Sequence, residues 1–185
     1  MSDSSTLAAD TETGKKYILS QSHTIIRICS SLKCEMAGFG DKASHADYIL
    51  VKDGVCGAVI EIKSRELTLD KLKAYNNPPG YLISNDKLVY GEDIARRLGA
   101  PFYVFARLLW DDIIVYFKVF DSHGIPMFDY PTDVTETQET CEDKKKVNRR
   151  NAYLPLKHMR TLKEEEDGIK SILKEGIDEE ERVIV

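Results

Sequence analysis

Between residues 14 and 32 the apolar side chains Ile18, Ile25, Ile26, Cys29 and Leu32 recur at a spacing that collects them on one helical face. The spacing predicts a helix over 14–32. The period then shortens. A strand is expected at 33–37, then a loop of small and polar residues through His45, then strands over 46–51 and 55–63 around the turn signal Lys52-Asp53-Gly54. A helix over 68–75 ends at Asn76-Asn77-Pro78-Pro79-Gly80. Residues 81–84 and 87–90 read as strands, and 92–98 as a short helix stopped by Gly99 and Pro101. The most apolar stretches, 102–109 and 113–120, read as a long hairpin around Trp110-Asp111-Asp112. This order of helices and strands predicts a mixed α/β domain over 14–130. Residues 1–13 are expected as a flexible leader, and 131–185 as a charged loop followed by a charged helix at 162–175.

Composition changes this picture in two places. With 185 residues, 42% of them hydrophobic and 31% charged, the chain has material for one sizeable core. No window approaches the roughly 18 uncharged apolar residues of a bilayer span, so no membrane partner is expected. The net charge of −5 argues against a polyanionic partner only until it is located. Residues 161–185 hold nine acids against four bases, while residues 1–160 balance at 22 of each. The acidity belongs to the tail. The four cysteines, Cys29, Cys34, Cys56 and Cys141, form no Cys-x-x-Cys pair and have no histidine at zinc-ligand spacing. They read as reduced, structural thiols of an intracellular protein.

Three charges interrupt otherwise apolar strands: Asp47, Glu61 and Lys63. A two-residue turn at Asp53-Gly54 would set Asp47 against Ile60 and put the two acids on opposite faces. A three-residue loop with Gly54 in a bulged turn would set Asp47 against Val59. Asp47 and Glu61 then become diagonal neighbours on one face, with His45 and Lys63 beside them. A solvent-facing Glu-x-Lys on an amphipathic strand is the plain alternative. Against it, both faces of these strands are apolar, with Ile49, Val51 and Val59 on one and Tyr48, Leu50, Ile60 and Ile62 on the other. Charges in a sheet covered on both sides need a partner or an ion. Two carboxylates and the Ile62 backbone carbonyl suit a hard cation such as Mg²⁺ or Mn²⁺, with Lys63 placed to orient water or neutralise a phosphate.

Asp47 followed by Glu61-Ile62-Lys63, on adjacent strands between helices, resembles the PD-(D/E)xK nuclease superfamily, which includes restriction enzymes, archaeal Holliday-junction resolvases and phage or viral nucleases. The likeness covers about residues 14–120, with Ala46 where the family's proline often stands. It implies a restriction-endonuclease-like three-layer αβα sandwich with a central mixed sheet. It also implies a metal-dependent endonuclease acting on DNA, with Asp47 and Glu61 as metal ligands and Lys63 as the catalytic lysine. Many members add an acid from the first helix. Glu12 and Glu35 are the nearest candidates here, and His45 reads as a loop residue that steadies the site. Lys42, Arg65, Lys71 and Lys73 flank the site and are candidates for phosphate contact. The basic run at 144–150 reads as a charged surface loop, or else as a DNA-binding arm. The alternating bulky residues of the 102–120 hairpin read most simply as core; an exposed face there would instead serve a homodimer, which many nucleases use to cut both strands. Two readings without turnover stay open: a nuclease-fold DNA-binding or assembly module, and a protein adaptor built around the acidic tail.

Overall fold

A computed structural model of the chain describes residues 12–38, 46–74, 80–138 and 146–162. Lys42, His45, Cys141, the leader at 1–11 and the tail from 163, with nearly all of the helix expected there, lie outside the described residues. In chain order the elements begin with α1 (Glu12–Leu32), β1 (Glu35–Gly38), β2 (Tyr48–Lys52), β3 (Val55–Arg65) and α2 (Leu69–Ala74). They continue with β4 (Tyr81–Ser84), α3 (Asn85–Leu98), β5 (Phe102–Leu108) and β6 (Ile113–Phe120). The last three strands are β7 (Thr132–Gln138), β8 (Lys146–Leu154) and β9 (Arg160–Thr161).

Six strands form a mixed sheet in the order β1-β2-β3-β5-β6-β9, with β3 and β5 parallel and the other pairs antiparallel. Side chains alternate between two buried faces. On one, Leu50, Ile60, Ile62 and Phe105 pack with Ile28 and Leu32 of α1. On the other, Val59, Val104, Ala106 and Phe117 pack with Leu88 and Ala95 of α3. Helices thus cover both sides of a mixed central sheet, the α/β architecture of a restriction-endonuclease-like fold. No described helix is long and apolar enough to cross a membrane. Cys29, Cys34 and Cys56 are free thiols.

The fold departs from the sequence reading in two elements. Residues 87–90, expected as a strand, belong to α3, which starts at Asn85 and ends at Gly99 in the left-handed conformation. The reason is burial at helical spacing: Leu88, Gly91 and Ala95 face the sheet. Gly91 lets the helix approach closely, since a Cβ there would stand 2.6 Å from the Phe102 ring. The second departure is at 131–154, expected as charged loop, where β7 and β8 form a hairpin and β8 also pairs with β4. β7 is polar and exposed over most of its length, so it lacks the one-sided apolar alternation that marks a strand. The 102–120 hairpin is core. Its strands are buried almost throughout, and its large exposed apolar residue is Trp110 at the tip.

Candidate active site

The turn between β2 and β3 decides whether the two acids meet. It is the two-residue form, Asp53-Gly54, with φ of 53° and 83° and Lys52 opposite Val55. The three-residue loop of the sequence reading does not form. Val51 pairs with Cys56, but Leu50 then pairs with Ala58, so Gly57 is an extra residue on β3 and makes a β-bulge. Beyond the bulge Tyr48 faces Ile60, and continuing that register by one residue sets Asp47 beside Glu61. The bulge thus reverses the parity that the tight turn alone would impose. Both acids lie on the α3 side of the sheet, directly across from one another instead of diagonally.

Asp47 is anchored by backbone. Its Oδ2 accepts the Ile62 N–H at 2.7 Å, and its own N–H donates to the Ile60 carbonyl at 3.2 Å. Glu61 has no solvent exposure. Lys63 Nζ lies 2.5 Å from its Oε1, and Lys87 Nζ lies 3.1 Å from Oε2 and 3.8 Å from Asp47 Oδ1. Among the described residues no backbone or hydroxyl donor reaches either Glu61 oxygen. Burial pushes the Glu61 carboxyl above its ordinary value; Lys63 pulls it down, Asp47 pushes it further up and Lys87 opposes both rises. Two carboxylates and two ammonium groups therefore share one half-dry pocket, with the negative groups held by strands and the positive ones on longer, partly exposed stems.

A family model described as "Phage putative PDDEXK endonuclease" matches residues 19–127, a span that contains Asp47, Glu61, Lys63 and Lys87. The chain belongs to this endonuclease family. No curated protein and no solved structure matches it. Within the matched span, Asp47 and the Glu61-Ile62-Lys63 run converge just before β2 and in the middle of β3.

The other expected residues of this endonuclease scatter. Glu35 pairs with Val51, at the far end of β2 from Asp47, about 13 Å along the strand. It lines a separate cavity of about 440 Å³ with Cys29, Cys34 and Lys52. Glu12 is the first residue of α1. It stands eight positions before Ser20, whose hydroxyl meets that of Ser64 at 2.8 Å on the sheet face opposite the acids. Arg65 lies on the same strand face as Glu61 and Lys63, with its guanidinium 5.7 Å from the Tyr81 ring centroid. Lys71 and Lys73 are exposed on α2, and the Lys71 ammonium stacks 4.1 Å from the Trp110 ring centroid. The residue that sequence reasoning missed is Lys87. Its signal was the Leu88, Gly91, Ala95 spacing, which marks the helix that carries it into the pocket.

Proposed function

We propose that this chain is a divalent-metal-dependent endonuclease that hydrolyses DNA phosphodiester bonds, with branched DNA among its substrates. The observation that carries the reading is Glu61: a fully buried carboxylate beside Asp47, whose oxygens meet only ammonium groups among the described residues. Such a pair fits a hard cation held by Asp47, Glu61 and the Ile62 carbonyl oxygen. Among the described residues no third acid, histidine or cysteine joins them. Two protein carboxylates suit Mg²⁺ or Mn²⁺, which keep several positions for water and substrate phosphate. When bound, the ion supplies Lewis acidity toward the phosphoryl oxygen and the attacking water.

The protein's own share of the chemistry follows from position. Asp47 is fixed through its Oδ2 by the Ile62 N–H, which leaves its Oδ1 facing the Lys87 ammonium that also meets Glu61. Lys63, one-fifth exposed, reaches from the strand to the pocket mouth, where its ammonium neutralises a phosphate or orients the water that attacks it. Arg65 continues the same strand face and Lys71 lies on the following helix, and both would hold the flanking backbone phosphates.

The test is a cleavage panel on linear, flapped, four-way and single-stranded DNA, with Mg²⁺, Mn²⁺ or EDTA, comparing the parent with Asp47→Ala and Lys63→Ala. The expected result is cutting by the parent with either ion, and none with EDTA or either variant. Cutting that survives chelation and both substitutions would overturn the mechanism. Binding without cutting by the parent would favour a nuclease-fold DNA-binding module. Light scattering of the parent on duplex DNA tests the accompanying homodimer.

A further inference from the structure

Lys87 occupies the first turn of α3, the end of a helix where peptide dipoles disfavour positive charge. Its ammonium nevertheless turns toward the sheet and meets both acids, 3.1 Å from Glu61 Oε2 and 3.8 Å from Asp47 Oδ1. Lys63 approaches the opposite Glu61 oxygen, Oε1. The two ammonium groups are therefore not equivalent: one flanks the acid pair, and the other bridges it.

We propose that Lys87 is an internal stand-in for the divalent ion. The proposal rests on the reading of Asp47 and Glu61 as ion ligands. Before an ion arrives, the Lys87 ammonium offsets the repulsion between the two carboxylates and keeps them facing one another. An ion bound by the same oxygens brings two positive charges to the place where Lys87 holds one, so Lys87 must release Glu61 and Asp47 for the ion to enter. Its side chain is one-quarter exposed, and its flexible four-carbon stem lets the ammonium withdraw to water without moving α3. Lys87 is thus a positioning residue that sets the affinity for the ion: it preserves the cradle at the expense of competing for it.

The experiment is a calorimetric titration of Mn²⁺ alone into the full chain, with free Mn²⁺ followed in parallel by its electron paramagnetic resonance signal. The parent is compared with Lys87→Met, Lys87→Arg and Asp47→Asn. Removing one positive charge at this distance is expected to tighten Mn²⁺ binding about tenfold in Lys87→Met, while Lys87→Arg stays near the parent. Without metal, Lys87→Met is expected to melt below the parent, and to gain more than the parent from saturating Mn²⁺. Lys87→Gln gives the same readout if the methionine variant does not fold. Mn²⁺ binding by the neutral variants that equals or falls below the parent's overturns the stand-in. Equal binding by the parent and Asp47→Asn overturns the ligand reading itself, and the stand-in with it.

Discussion

At Glu61 the fold and the proposed chemistry pull in opposite directions. Burial raises its pKa above the ordinary 4.5. A raised acid contributes stability that is fully present below the unfolded value and lost as pH climbs through the folded value. The metal-free protein is therefore expected to lose melting temperature, relative to Glu61→Gln, as pH rises from 4.5 through the raised value. At neutral pH the glutamine variant melts higher and does not cut, which thermal scans across pH and the cleavage panel read directly. Glu61 and Lys63 were legible in the sequence because each interrupts an apolar run whose two faces are both hydrophobic. Lys87 was not, because its place depends on a helix docking from 24 residues downstream of Lys63, and a lysine near a helix start carries no local mark of what it will meet.

Two elements, the β2–β3 hairpin and α3, set the distances at this site. In α3, Gly91 lies against the Phe102 ring with no room for a methyl group. Gly91→Ala is expected to destabilise the protein by about 1–3 kcal/mol through overpacking, although alanine is the better helix former. The same change is expected to weaken cleavage by lifting Lys87 away from the acids. Chemical denaturation and the cleavage assay separate the two effects. In the hairpin, the same-face relation of Asp47 and Glu61 was anticipated from the sequence, but by way of a longer loop. Asp53-Gly54 is a favoured two-residue turn, and the correction comes from Gly57, an isolated glycine inside a strand, which is itself a bulge signal. The turn chemistry was readable; the compensation three residues later depends on how β2 settles against β3 within the sheet.

Across the whole molecule, β8 contributes Ala152 and Leu154 to the apolar layer on the acids' side of the sheet, through its pairing with β4. A chain ended after Tyr130 uncovers Tyr81 and Ile83 and is expected to be insoluble or to melt far below the parent. The α/β class and the two-sided burial of the central strands were legible from periodicity; the β7–β8 hairpin was not, because its polar, solvated face gives no period to read. The proposed affinity for DNA would belong to the surface as a whole. It is expected to fall with added salt despite the net charge of −5, since the acids concentrate in the tail. Arg65→Ala and Lys71→Ala are each expected to weaken binding on all sequences and to reduce the salt slope by about one, as filter binding at several salt concentrations will read. The pairing of β4 with β8 also orders events in time. On the ribosome, Asp47 and Glu61 emerge some ninety residues before the strand that completes the cover on their side. A nascent chain therefore carries both acids while the layer above them is unfinished, and the burial of Glu61 is completed only late in translation.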